Sequence, residues 1–273
     1  MGQKHALALL PLLVLCGASR DARAAPPWVD RPLTLPGGDW AFNFGLGLGH
    51  LHIPPPGPYD DTGAGINAEM AVGLTDRVEL GVRGGLRFGN PNERAISGDY
   101  YGRLFDRETF RETLAEGDEI PSNPEVRVRG LLVEGRVFEL ALEGRVVVPF
   151  AVGTDAGALF GVPMAFHLGE RVRLDLGVYV PVLFVPNDAA VGISVPFDVW
   201  IQITQRLWLG PMTGLAFDRP FDSQREVTHF SLGFGLGYSI THNLDFKTMF
   251  LFPEINNESG NFGAGAGIEV RIE

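Results

Sequence analysis

The chain has 273 residues, 45% of them hydrophobic, a formal net charge of −11, 36 glycines, 20 prolines and one cysteine. An acidic chain is a poor match for nucleic acid, whose phosphates demand a basic surface. One cysteine builds no disulfide framework, scattered histidines lack zinc-ligand spacing, and no run approaches the roughly 18 apolar residues of a membrane-crossing helix.

Lys4 and His5, an apolar run over 6–16 and Ala22-Arg23-Ala24 read as a secretory signal peptide over 1–24. Cys16 follows Leu15, where a lipidation motif wants a small residue, so it is read as part of the discarded apolar run. Removing Lys4, Arg20, Arg23 and Asp21 with the signal leaves 249 residues, a net charge of −13 and no cysteine. That length suits one large domain. Residues 25–38, with Pro26, Pro27, Pro32 and Pro36, form an irregular lead-in.

From there on, the chain alternates. Residues 39–51 put Trp40, Phe42, Phe44, Leu46 and Leu48 on one face and Ala41, Asn43, Gly45, Gly47 and Gly49 on the other. Such a period of two is a β-strand with two unlike faces. A proline-rich loop over 52–62 follows, then strands over 63–74 and 78–88. Residues 89–125 are the longest excursion, with nine acids, four arginines and a helical spacing over 103–116. Strands are next expected over 126–133 and 139–150, with the turn either at Glu134-Gly135 or at Phe138-Glu139. Those over 156–168 and 172–184 precede the clearest hairpin, 190–217. There Val191, Ile193, Val195, Phe197, Val199, Ile201 and Ile203 alternate with Gly192, Ser194, Pro196, Asp198, Trp200 and Gln202. Strands over 229–240, 244–252 and 262–272 complete a set of twelve. Pro149, Pro163, Pro181, Pro196 and Pro211 fall inside these strands, where a missing N–H marks a bulge or a strand end.

The hairpin turn at Thr204-Gln205-Arg206 has relatives at Thr75-Asp76-Arg77, Gly169-Glu170-Arg171 and Thr241-His242-Asn243, at separations of 35 and 37 residues for the last three turns. A period of one hairpin plus one loop is an array of antiparallel hairpins. With its alternating strands, short turns and longer loops, this array resembles a Gram-negative outer-membrane β-barrel over residues 39–273. The C-terminal Arg271-Ile272-Glu273 departs from the aromatic end usual in that class. The resemblance implies an all-β, closed antiparallel transmembrane barrel of about twelve strands, with short periplasmic turns and longer external loops. It also implies export to the outer membrane, contact with its lipid and lipopolysaccharide, and an assembly machinery as a transient partner.

In such a barrel the bulky apolar face meets lipid and the small polar face lines the lumen. The inward phase then carries Glu69, Glu79, Arg83, Arg87, Arg127, Arg129, Glu143, Arg145, Arg173, Asp175, Asp198, Asp245, Lys247, Glu269 and Arg271. These either line water in a narrow channel for small polar solutes or pair across the lumen and seal it. The competing reading is a non-conducting structural or interaction barrel whose external loops bind a partner. A lipid hydrolase is the remote alternative, resting on His229 and Ser231 two residues apart; their phase is inward and no Gly-x-Ser-x-Gly elbow exists, so no enzyme is expected. No cofactor or metal is expected either. The acidic stretch 89–125 is a candidate lid, able to fold inward onto Arg83, Arg87, Arg127 and Arg129.

Overall fold

The structure, a computed structural model, describes residues 27–53, 59–88, 124–149, 156–185, 188–218, 227–253, 255–256 and 262–273. Its strands are β1 (Trp40–Ile53), β2 (Tyr59–Thr75), β3 (Val78–Phe88), β4 (Glu125–Val133), β5 (Phe138–Val147) and β6 (Ala156–Leu168), continued by β7 (Val172–Val185), β8 (Asp188–Gln202), β9 (Leu207–Asp218), β10 (Val227–Thr241), β11 (Leu244–Phe252) and β12 (Phe262–Ile272). Each pairs antiparallel with the next, and β12 returns to β1 with Ile272 opposite Trp40 and Gly265 opposite Gly47. The result is a closed twelve-stranded barrel, which leaves no sheet edge unpaired.

The alternation sorts side chains as it should. Phe44, Leu46 and Leu48 of β1 are exposed on the outer wall, while Ala41 is buried on the inner one. In β8, Val191, Ile193 and Ile201 lie outside, and Asp198, Trp200 and Gln202 are buried inside. Closing the barrel hydrogen-bonds the backbone of every strand to a neighbour, the condition for crossing hydrocarbon with strands. No described helix is long and apolar enough to cross a membrane.

Several boundaries differ from the sequence reading. β1 and β2 run through most of the loop expected over 52–62, as far as Ile53 opposite Tyr59, because the ladder lasts until the prolines at 54–56 remove their donors. Glu125 is the first residue of β4 rather than the end of a loop. The β4–β5 connection is 134–137, and β5 ends at Val147, so Pro149 lies beyond it. The excursion 89–123, with its expected helix, lies outside the described residues, as does the signal peptide.

Four prolines do lie within strands, and each sits where one of its two ladders skips. Pro163 pairs with Gly177 of β7, while the β5–β6 register jumps from Leu140–Met164 to Glu143–Gly161. Pro211 pairs with Phe234 of β10, while the β8–β9 register jumps from Asp198–Met212 to Ile201–Leu209. Pro181 and Pro196 keep Leu159 and Gly214 and fall in gaps of the β7–β8 ladder. Each strand residue donates its N–H to one neighbour only, so a proline facing a gap costs a single bond.

Candidate functional site

The lead-in is where the structure departs most from expectation. Residues Trp28–Leu35, called the strap below, lie inside the barrel at the end carrying the short turns. Pro27, Pro32 and Pro36 hold the chain extended on either side of a single 3-10 turn at Trp28–Asp30. Val29, Arg31, Leu33 and Leu35 are buried; Asp30, Pro32 and Pro36 are exposed. Thr34 is buried as well, between Leu33 and Leu35, and most of the strap's backbone hydrogen bonds go to side chains on the barrel wall.

Those bonds follow the strap across the mouth. Val29 N donates to Gln202 Oε1 at 3.3 Å, and His167 Nδ1 donates to Val29 O at 2.8 Å. Trp28 stacks on Trp208 with ring centres 5.3 Å apart and meets the edge of Trp200 at 5.4 Å. The Arg173 guanidinium lies 5.3 Å from the centre of the Trp28 ring, and its Nη1 donates to Arg31 O. On the far wall Arg31 forks onto both carboxylate oxygens of Asp245 and lies 3.5 Å from Glu269. Leu33 N donates to Glu139 Oε2 at 2.7 Å, and Leu33 O accepts from Arg129 Nη1 at 2.8 Å. Leu35 N donates to Glu79 Oε2 at 2.8 Å. The chain then bends at Gly38 (φ +93°) and enters β1, with Gly38 N on Gly73 O at 2.8 Å.

The wall charges pair among themselves as they hold the strap. Arg127 Nη2 reaches Glu69 and Glu79, both at 2.8 Å, and Arg83 reaches Glu125 at 2.8 Å. Glu143, with no exposed side-chain surface, takes Arg129 and Arg145, each at 2.5 Å. Arg173 pairs with Asp175 at 2.6 Å, and Glu269 takes Lys247 and Arg271. Ser239 Oγ donates to Asp245. Asp198 is buried on β8, directly across from Asp175 in register. Arg87 sits opposite Gly65 on β3; its side chain is outside the described set. Such pairing is required, since an ion buried alone costs several kcal/mol.

The candidate lid over 89–125 lies outside the described residues except at its end, where Glu125 reaches Arg83. Arg83, Arg127 and Arg129 are engaged by carboxylates of β2–β5, and among the described residues the N-terminal strap folds into the lumen. Arg31, Trp28, Glu125, Glu139, Gln202 and the anchoring role of His167 were not singled out from sequence.

Toward the loop-bearing end, the strap forms the floor of a cavity of about 250 Å³. Asn43, Asn67, Glu69, Arg83, Arg127, Lys247 and Arg271 contribute to its walls.

No family model matches the chain, and no curated protein does. Solved structures do. An outer membrane channel from Pseudomonas putida F1 superposes with a TM-score of 0.60 at 11% identity, over 89% of this chain and 99% of its own. The NanC porin gives 0.57 at 7% identity, over 85% and 100%, and the KdgM porin 0.54 at 7%, over 85% and 99%. The fold is that of an outer-membrane β-barrel. At these identities the likeness is one of fold, with no residue of the site carried across.

Within this barrel, His229 is buried on the inner face of β10, and Ser231 Oγ donates to Gly214 O at 3.4 Å. The pair thus lies inside the wall rather than on its lipid-facing surface, where a lipid hydrolase would present its chemistry.

Proposed function

We propose that the protein is an outer-membrane channel for small polar solutes, exported by way of the signal peptide 1–24 and resting with its periplasmic mouth closed by the strap. One observation carries this reading: a separate segment, the strap, crosses the mouth and is held there by bonds to side chains of the wall. The wall is fixed by a continuous ladder, whereas the strap is joined to it covalently at β1 and otherwise by side-chain bonds. Each such bond contributes only about 0.5–1.5 kcal/mol net, or about 1.5–3 where a charged group takes part. The fold shared with an outer membrane channel and two porins supports the same reading.

A non-conducting barrel is the second reading, and the buried Arg31–Asp245 clasp favours it, because a strap so held is also a permanent plug. Cross-linking separates the two. Leu33 packs in one buried cluster with Leu131, Ala141 and Ala165, and the chain after residue 24 has no cysteine of its own. Leu33→Cys with Ala141→Cys then places two thiols between strap and β5. In planar bilayers the oxidised variant should be silent, with openings restored by reductant to the wild-type level. Equal currents in both states would remove the strap as the gate. Silence in every state, with Arg31→Met also silent, would leave the non-conducting barrel.

A further inference from the structure

His167 of β6 differs in kind from the other residues that hold the strap. The carboxylates and guanidiniums that grip Arg31, Leu33 and Leu35 keep one charge across the neutral range, and Gln202 carries none. Imidazole changes its charge between about pH 5 and 8. The His167 ring is buried, and both of its nitrogens face oxygen atoms. Nδ1 lies 2.8 Å from Val29 O of the strap, and Nε2 lies 3.5 Å from Glu139 Oε1 of β5. The other oxygen of Glu139 accepts from Leu33 N at 2.7 Å, so this carboxylate also touches the strap.

A neutral ring has one proton for these two acceptors. With the proton on Nδ1 it holds Val29, and the Nε2 lone pair is turned on the carboxylate. Nε2 is indeed buried without a hydrogen bond among the described residues. With the proton on Nε2 it serves Glu139, and the Nδ1 lone pair opposes the Val29 carbonyl. Only the doubly protonated ring donates to both, and its bond to Val29 O is then charge-assisted, roughly twice as strong as a neutral one. Glu139 need shift by less than about 1 Å to reach the usual 2.7–2.9 Å of such a pair.

The surrounding charges favour the second proton. Glu139 faces the ring from β5, and Asp30 of the strap interacts with both the ring and Glu170 of the β6–β7 turn. Arg173, the register partner of His167 on β7, opposes it but is paired with Asp175 at 2.6 Å. The guanidinium of Arg31, next along the strap, is engaged by Asp245 on the far wall.

We propose that His167 is a proton-operated latch: its protonation ties Val29 of the strap to Glu139 of the wall, so that the periplasmic mouth closes in acid and loosens as pH rises. The second bond exists only with the second proton in place, so falling pH favours the seated strap. The latch regulates the closure described above and rests on the channel reading for any effect on current. Seating of the strap needs no conduction.

Leu33→Cys reports seating directly, because Leu33 is buried with Leu131, Ala141 and Ala165 and its thiol is reached only when the strap lifts. A water-soluble maleimide labels it in the detergent-folded full chain, with Cys16→Ala throughout, at about pH 8 and about pH 5.5, either side of the imidazole range. Dividing each rate by that of Leu33→Cys with His167→Gln cancels the ionisation of the thiol itself. The ratio should fall about tenfold from the higher pH to the lower, the scale of one hydrogen bond to a charged group. In planar bilayers the wild type should open less often in acid. His242→Gln, in the exposed β10–β11 turn, should keep that response, and His167→Gln should lose it. Glu139→Gln separates titration from packing. Its amide still accepts from Leu33 N and donates to the unprotonated Nε2, so acid closure should disappear or reverse. Heat-modifiable gel migration confirms that each variant is folded. A ratio equal at the two pH values, or acid closure that persists in His167→Gln or Glu139→Gln, overturns the latch. A ratio that falls as expected without current from any variant removes the channel and keeps the latch; current with a constant ratio does the reverse.

Discussion

At the scale of single residues, the interior is organised by carboxylates that never meet water. Glu143 is the clearest, since Arg129 and Arg145 each approach it at 2.5 Å and Arg127 lies at 3.8 Å. Removing one partner of a buried pair costs about 3–5 kcal/mol, because the charge left behind is stranded. Glu143→Ala removes a carboxylate shared by two guanidiniums, so the unfolding free energy from urea titration in lipid vesicles should fall by about that amount. Replacing the exposed Glu134, which lies 3.8 Å from Arg77 at the surface, should change stability by less than about 1 kcal/mol. The inward position of Glu143 was legible from alternation alone. Its partners were not, because a period of two reports a face and says nothing of which neighbour a long arginine chooses.

At the scale of elements, the strands were readable and the strap was not. β3, β6, β11 and β12 begin and end where alternation begins and ends, since a strand between lipid and a polar interior must change character at every step. The strap obeys another rule. Its backbone groups are satisfied by Gln202, Glu139, Glu79 and Arg129, residues far away in sequence, and no local pattern announces such partners. The one local sign of docking is Gly73, where a side chain would strike the carbonyls of Leu35 and Pro36. Gly73→Ala should therefore lift the strap from its seat while the ladder stays intact. The barrel should still show heat-modifiable migration, and single-channel records should show openings at least several-fold more frequent than wild type.

At the scale of the whole molecule, the seam between first and last strands brings like charges together. Burial raises the pKa of Asp39 above its ordinary value; Glu273 and Asp76 raise it further, and Arg271 opposes them. A carboxyl whose folded pKa is raised binds its proton more tightly in the barrel than in the unfolded chain. Stability therefore rises as pH falls through that folded value, and the ionised form at neutral pH carries the penalty. Asp39→Asn removes the charge and keeps the backbone bond from Gly73 N to Asp39 O at 2.9 Å. Its stability should exceed wild type at neutral pH by no more than about 1 kcal/mol, the range for partly exposed charges. The advantage should vanish in acid, as denaturant midpoints at the two pH values would show.

Arg31 precedes every strand of the barrel, yet the carboxylates it grips, Asp245 and Glu269, belong to β11 and β12. Synthesis delivers the chain from its first residue to its last. The glutamates that receive Leu35 and Leu33 arrive early, on β3 and β5, while the partners of Arg31 are among the final residues to appear. The guanidinium must therefore wait, hydrated, through almost the whole of assembly. Its burial records that the cylinder has been completed, since a chain cut short before β11 has nothing with which to receive it.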